Sequence, residues 1–127
     1  MKIRTQRIAP ERITPDIDTA LKKLQLGLGI WEDYLRYREQ DTSQLIIARD
    51  VDTRKIVGWC FMFYPWLHWG RPEAHLYVHG WYRRRGIGTR LLRRAEQLAR
   101  KRRATAKLMV WPHDKRSREF FHQFACT

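Results

Sequence analysis

The residues best suited to chemistry in this chain form one short segment, in which a predicted strand runs into a basic, glycine-containing turn. The strand ends at Val78, the turn reads Arg83-Arg84-Arg85-Gly86-Ile87-Gly88, and a long helix is predicted from Thr89 to Arg103. Glycine tolerates positive φ and lets the backbone approach a ligand closely. N–H groups converge at a helix N-terminus, where the helix dipole also favours anions. The segment predicts a phosphate or pyrophosphate site, with a solvated basic turn as the alternative.

The turn matches one family of phosphate-binding loops. The Walker A pattern and the dinucleotide fingerprint G-x-G-x-x-G are both absent from the chain. Arg83-x-x-Gly86-x-Gly88 resembles the acyl-CoA pyrophosphate loop of the GNAT N-acetyltransferases, although Gly80-Trp81 stands where that family commonly has Pro followed by an acidic residue. Residues 108–110 resemble the family's fifth strand. Its last motif helix is matched at four positions, Asp114, Ser117, Phe120 and Phe121, so that the resemblance covers roughly residues 45–126.

The resemblance implies a fold, a reaction and a set of binding residues. The fold is expected to be α/β (α+β), a single domain over residues 1–127 with a GNAT-like mixed sheet, in which antiparallel N-terminal strands precede a splayed parallel pair around the acyl-CoA cleft. The reaction implied is transfer of an acetyl group from acetyl-CoA, the cosubstrate, to a primary amine. The backbone of Tyr77 and Val78 is expected to face the pantetheine and thioester. The other cofactor-binding positions implied are Arg83, Arg84, Arg85, Gly86, Ile87, Gly88, Thr89 and Asp114.

Three residues are candidates for proton transfer. Glu73 and His75 lie near the start of the predicted fourth strand, roughly where the family often places a carboxylate, but neither aligns cleanly in strand parity. The ordinary pKa of histidine suits a base near neutral pH. Phe121 stands where the family often has a Tyr that protonates the departing thiolate, so the neighbouring His122 is the third candidate. The simpler interpretation of His122 is a histidine on the surface of a helix. The histidine and cysteine spacings fit no metal template, and no metal is expected.

These residues need a scaffold, and the hydrophobic patterning predicts nine elements in the order β-α-α-β-β-β-α-β-α. The predicted strands cover residues 2–8, 45–49, 55–64, 74–78 and 106–111, and the predicted helices cover 15–27, 30–40, 89–103 and 114–124. Thr14 followed by Pro15 is typical of a helix start. Leucines and alanines form an apolar stripe on the helix over 89–103, which leaves its arginines mainly to the other sides.

Aromatic residues divide into a predicted core set and a predicted acceptor set. Trp59, Phe61 and Phe63 alternate along one strand, share one face and are predicted to be buried. The acceptor side is assigned to five aromatics of the predicted loops and of the second helix, Trp31, Tyr34, Trp66, Trp69 and Trp81. The alternative is that these side chains simply pack under a loop.

The basic charge is concentrated in the last third of the chain. Residues 1–82 carry a net charge of +2 and residues 83–127 carry +11. This surplus favours an acidic partner or nucleic acid at six basic positions, Arg93, Arg94, Arg100, Lys101, Arg102 and Arg103. The alternative function is therefore a catalytically weak or inactive GNAT-like protein that binds CoA, an acidic partner such as nucleic acid, or both. A domain that binds only nucleic acid is disfavoured, because no nucleic-acid module is recognisable.

Location and assembly are predicted from two further features. The longest apolar stretch, residues 56–67, is too short to cross a bilayer and contains a proline, and no apolar segment follows Met1 as in a signal peptide. A cytoplasmic protein with no membrane partner is expected. The chain ends at Thr127, before two strands that the family usually adds, so a homodimer is expected through the edge strand near Ala106–Trp111.

Overall fold

Eight helices and strands are defined in the structure, a computed structural model that describes residues 2–25, 30–40, 42–64, 72–79, 82, 86–102 and 109–110. In chain order they are β1 (Ile3–Ile8), α1 (Pro15–Gln25), α2 (Ile30–Tyr37), β2 (Gln44–Asp50), β3 (Ile56–Phe63), β4 (Glu73–Val78), α3 (Ile87–Arg102) and β5 (Met109–Val110). One 3-10 turn, Pro10–Arg12, separates β1 from α1. The helix predicted over 114–124 lies outside the described residues.

The start of α1 follows from local chemistry. The Thr14 hydroxyl oxygen accepts a hydrogen bond from the Ile17 N–H at 3.2 Å, and the Thr14 carbonyl accepts the Asp18 N–H at 3.1 Å. A threonine in this place satisfies N–H groups that the first helical turn leaves without partners, and Pro15 has no N–H to satisfy. The predicted helix start is confirmed.

Two other helix boundaries differ from the prediction. Helix α2 ends at Tyr37 rather than Gln40, because the chain turns there and the Gln40 N–H bonds to the Tyr37 carbonyl at 3.0 Å. Helix α3 begins at Ile87 rather than Thr89, because the Gly86 carbonyl already accepts the Arg90 N–H at 3.1 Å. Gly86 is thus the residue that immediately precedes the helix.

The described strands form one mixed sheet in the order β1-β2-β3-β4-β5. The first four strands pair antiparallel in succession, whereas β4 and β5 are parallel and are connected through α3. The predicted order of antiparallel N-terminal strands followed by a parallel pair is confirmed. The β2–β3 hairpin closes at Arg54, whose φ of 64° lies in the left-handed region, and the Asp50 N–H bonds to the Lys55 carbonyl at 2.9 Å.

Each face of the sheet carries its own buried core because side chains alternate along the strands. Helix α3 covers one face through an apolar stripe whose buried members are Ile87, Leu91, Leu92, Ala95 and Ala99. Helices α1 and α2 cover the other face, where Trp59, Phe61 and Phe63 are at most 1% exposed and pack with Leu21 and Tyr34. The predicted burial of these three aromatics is confirmed.

Candidate active site

The segment that joins β4 to α3 is held by backbone and side-chain hydrogen bonds. The His79 N–H bonds to the Val57 carbonyl at 2.7 Å, and the Tyr82 N–H bonds to the His79 carbonyl at 2.8 Å. Gly86 then adopts a φ of 76°, in the left-handed region that an L side chain rarely occupies. This glycine therefore has the conformational role that the sequence predicts for it.

The N-terminus of α3 is suited to an anion. Its first turn contains no acidic residue, and the buried Ile87 anchors that turn in the core. The first N–H groups of any helix have no acceptor within the helix, and the dipole places partial positive charge there. Gly88 and Thr89 are half-buried in this turn. Arg83, Arg84 and Arg85, which the sequence assigns to the same site, lie outside the described residues.

A buried carboxylate fixes the start of the turn, and sequence reasoning missed it. The Tyr82 hydroxyl donates to Asp50 Oδ2 at 3.0 Å, across to the end of β2. Asp50 Oδ1 accepts the N–H groups of Asp52 and Thr53 at 2.9 and 3.4 Å. Burial alone would raise the pKa of Asp50, but the hydrogen bonds from Tyr82 and from the two N–H groups lower it below its ordinary value. The signal available in the sequence was an aspartate at the start of a hairpin turn, where its side chain bonds to N–H groups two and three residues on.

The parallel strand pair is short in the described part of the chain. Met109 and Val110 of β5 lie opposite Glu73 and Ala74, and β4 continues past them through residues 75–78. Tyr77 faces the α1/α2 core, and Val78 packs at the α3 core. Both lie in the half of β4 that leads to the turn. The strand proposed for dimerisation, 106–111, is described only at these two positions of β5.

Glu73 and His75 form a pair on β4. His75 Nε2 lies 3.6 Å from Glu73 Oε2, and the two side chains are 8% and 13% exposed. The imidazole also stacks on Phe63, with ring centroids 5.5 Å apart and planes 11° from parallel. Residues two apart on a strand share a face, so both side chains lie on the face of the sheet that α1 and α2 cover.

The acceptor-side assignment of Tyr34 is wrong. This side chain is fully buried between Trp59 and Phe61, with ring centroids at 5.5 and 5.1 Å, because α2 packs it onto the sheet. Its hydroxyl donates to Asp18 Oδ1 at 2.7 Å, and Arg38 Nη1 donates to Asp18 Oδ2 at 2.6 Å. Burial and the neighbouring carboxylate raise the pKa of Tyr34 above its ordinary value, so it remains a neutral structural donor.

Other predicted positions divide into those outside and those inside the described part of the chain. Trp31 packs against Tyr34 and is half-buried. The remaining aromatic acceptor candidates and four further residues lie outside the described residues: Trp66, Trp69, Trp81, Arg103, Asp114, Phe121 and His122. The basic positions of α3 are exposed, namely Arg93, Arg94, Arg100, Lys101 and Arg102.

Comparison with known proteins decides the family. The profile of the Acetyltransferase (GNAT) family matches residues 15–125. The chain belongs to the GNAT acetyltransferase family. As a GNAT protein it is an N-acyltransferase that takes an acyl-CoA as cosubstrate and an amine as acceptor. None of the curated protein sequences compared with the chain matches it.

Solved structures share the fold of this GNAT protein at low sequence identity. An aminoglycoside acetyltransferase, HMB0005, from an uncultured soil metagenomic sample is 20% identical, with a TM-score of 0.70 over 98% of this chain and 91% of that one. The ribosomal-protein-alanine N-acetyltransferase from Brucella melitensis biovar Abortus 2308 is 14% identical, with a TM-score of 0.70 over 99% and 93% of the two chains. Escherichia coli ElaA is 13% identical, with a TM-score of 0.70 over 97% and 86%. Within the described residues, no helix of this GNAT protein is long and apolar enough to span a membrane.

Proposed function

We propose that this GNAT protein transfers the acetyl group of acetyl-CoA to a primary amine, with the Glu73–His75 pair as the proton acceptor. The observation that carries the proposal is the position of His75. It is the first residue of β4 beyond the described pairing with β5, and its imidazole lies 3.6 Å from a carboxylate oxygen. The helix N-terminus suited to pyrophosphate follows at the far end of the same strand.

The donor would lie along the second half of β4. The N–H groups at the start of α3 and the adjacent arginines would bind the pyrophosphate, because both supply positive charge without a competing carboxylate in the first helical turn. The backbone of Tyr77 and Val78 would lie beside the pantetheine and thioester. Asp50 would position this arrangement indirectly, since its hydrogen bond holds Tyr82 immediately before the basic turn.

Acetylation of an amine requires removal of the ammonium proton, since an ammonium ion has no lone pair with which to attack. His75 would accept the ammonium proton, directly or through one water, and Glu73 would stabilise the imidazolium that forms. The amine nitrogen then attacks the thioester carbonyl carbon and loses its second proton as the C–S bond breaks. CoA leaves as the thiolate, which takes up that proton directly or through water. Stacking on Phe63 fixes the plane of the imidazole, so its nitrogens present one geometry to the acceptor.

Binding of the donor is tested by thermal unfolding with and without acetyl-CoA. At a concentration about 100 times its Kd, a ligand stabilises the folded state by about 2.7 kcal/mol, which corresponds to a rise in Tm of about 10 °C for a chain of this length. Gly86→Asp should abolish the rise by repelling the pyrophosphate. Gly86→Ala is the matched control, because a Cβ there meets no atom within 4 Å and adds only backbone strain. No rise in the wild-type protein at millimolar acetyl-CoA would overturn the proposal.

Catalysis is tested by CoA release with a panel of amines that includes an aminoglycoside and a peptide with an N-terminal alanine. His75→Gln should lower kcat by about 10²–10⁴-fold, with partial recovery at high pH where the amine is already neutral. His79→Gln, just beyond the end of β4, is the matched control and should stay near wild type. Stabilisation by acetyl-CoA without turnover of any amine would favour the non-catalytic alternative. Wild-type kcat in the His75→Gln variant would overturn the assignment of the proton acceptor.

A further inference from the structure

A cleft remains that the acyl-transfer reaction does not use. It is an open cavity of about 480 Å³ between the last turns of α3 and the ends of β1, β2 and β3. Arg94, Lys101 and Arg102 line it from the helix, and Arg7 lines it from β1. We call this cavity, with these four cations, the basic cleft.

The cations of the basic cleft lack counter-charges within the described part of the protein. Arg94, Lys101 and Arg102 form no ion pair there, and no carboxylate lines the cavity. Elsewhere on the same helix Arg100 pairs with Glu96 at 2.8 Å, and Arg90 donates to the Ile3 carbonyl at 2.9 Å. Arg90 and Arg100 therefore have polar partners outside the cleft, whereas the three helix cations inside it have no carboxylate partner among the described residues.

The helix dipole accounts for only part of this charge. Cations in the last turn of a helix are stabilised by its negative end, which explains Lys101 and Arg102. Arg94 lies about two turns earlier, and Arg7 is on a different element, where its Nε donates to the Gln44 side-chain oxygen. Arginine carries five N–H donors, so this one bond leaves most of the Arg7 guanidinium free to bind an anion. A bound anion would offset the mutual repulsion of the four like charges around this cavity.

The remaining lining indicates what else the ligand contains. Met62 and Leu98 supply an apolar floor, and Thr42 supplies a hydroxyl. Tyr64 presents a ring over which the Arg102 guanidinium lies at 5.2 Å from the centroid. A cavity of this volume falls in the range of small-molecule sites, and it is bounded by strands and helix rather than being an extended flat surface.

We propose that the basic cleft binds a small phosphorylated organic molecule. Its phosphate groups would be held by Arg7, Arg94 and Lys101, because arginine forms bidentate hydrogen bonds with phosphate oxygens. Its organic part would lie on Tyr64 and Leu98. The site is separate from the proposed acyl-CoA site, since its lining residues on α3 begin at Arg94, about 10 Å along the helix axis from Ile87, and continue away from that end to Arg102. The proposal does not depend on which acyl-CoA is the donor.

The test is a calorimetric titration with ADP and with inorganic pyrophosphate, each in the presence of excess acetyl-CoA so that the turn before α3 is occupied. Both probes should bind, and ADP should bind more tightly because its adenosine contacts the apolar and aromatic floor. The double variant Arg94→Gln/Lys101→Gln should weaken both by about tenfold or more. Arg93→Gln/Arg100→Gln removes the same charge from the same helix outside the cleft, and should change each affinity by less than about twofold.

Several outcomes would overturn the proposal. Absence of binding by both probes, or equal losses in the two double variants, would mean that the cations act only through net charge. Equal affinity for ADP and pyrophosphate would overturn the assignment of an organic part. A short oligothymidylate that binds far more tightly than ADP, and loses affinity in the Arg94→Gln/Lys101→Gln variant, would identify a nucleic-acid surface instead. All four substituted residues are exposed, so unchanged unfolding temperatures will confirm that the variants are folded.

Discussion

Gly58 of β3 lies directly beneath α3, where an added side chain would make tight contacts. A Cβ at this position would lie 3.0 Å from the Tyr77 carbonyl oxygen, 3.3 Å from Val78 Cγ2 and 3.5 Å from Leu91 Cδ1. The nearest atom belongs to the backbone of the neighbouring strand and not to the end of a flexible side chain. Gly58→Ala therefore requires the part of β4 along which the acyl-CoA is proposed to lie to give by a few tenths of an ångström.

The size of the effect on stability follows from two opposing terms. Adding a methyl group to a packed core costs about 1–3 kcal/mol, whereas replacing glycine with alanine restricts the unfolded chain and returns about 0.4–1 kcal/mol. The net loss is about 1–2 kcal/mol. At about 2.1 cal/mol/K of unfolding entropy per residue, a chain of 127 residues loses about 4 °C in Tm per kcal/mol. The Gly58→Ala variant should unfold about 4–8 °C below the wild type.

Thermal unfolding and acyl-CoA kinetics together test this reasoning. The variant should show both a lower Tm and a raised KM for the acyl-CoA, because the Tyr77 carbonyl has moved. Ile46→Val is the control, since it removes a methyl from the same core at β2 and costs about 0.5–1.5 kcal/mol without touching β4. Its KM should stay at the wild-type value. An unchanged Tm in Gly58→Ala, or a KM no higher than that of Ile46→Val, would refute the argument.

Three further predictions concern buried polar groups. Burial raises the pKa of Cys60 to about 12. In a Cys126→Ser background no thiol should therefore react with an aromatic disulfide reagent at pH 8 until the protein is unfolded. Rapid reaction of the native protein would contradict the burial of Cys60. Tyr34→Phe removes the hydroxyl that donates a hydrogen bond to Asp18 on α1, and it should lower the free energy of unfolding by about 1 kcal/mol. Urea denaturation measures this loss, and an unchanged midpoint would show that the bond contributes nothing. The pKa of Asp50 is lowered in the folded state, so its contribution to stability is present above the ordinary aspartate pKa and is lost as the pH falls through the folded value. The Tm of the Tyr82→Phe variant should therefore fall less than the wild-type Tm between pH 7 and pH 3. Equal falls in Tm would exclude this hydrogen bond as the cause of the pH dependence.

The start of α3 and the conformation of Gly86 were predictable because their signals are local. A glycine at positive φ and the first turn of an amphipathic helix depend on residues within a few positions of each other, and Gly86 and Ile87 fulfil both expectations. The start of the helix was placed two residues late because the sequence offers no side-chain cap there, and the boundary depends on the backbone of Gly86. The hydrogen bond from Tyr82 to Asp50 joins residues 32 positions apart, and no periodicity predicts such a contact.

The error at Tyr34 has a similar physical origin. The sequence groups this residue and Trp31, both on the second predicted helix, with the loop aromatics of the acceptor side, and leaves packing as the alternative. Burial depends on how α2 packs, and it packs so that the Tyr34 ring contacts Trp59 and Phe61 while the hydroxyl reaches Asp18 on α1. A tyrosine can be fully buried when one polar partner satisfies its hydroxyl.

The sequence by itself determined the types and the order of the described helices and strands, the alternation that buries three aromatics of β3, and the glycine that precedes α3. Each of these follows from backbone preference or from the period of a helix or strand, and such properties are set by residues close together in the chain. Only the tertiary structure decided which charges have partners. Glu73 and His75 share a buried face because β4 lies inside the sheet, and Arg7 joins Arg94 at one cleft because α3 crosses the ends of β1, β2 and β3. Contacts between distant parts of the chain depend on strand register and helix placement, which arise from packing of the whole fold.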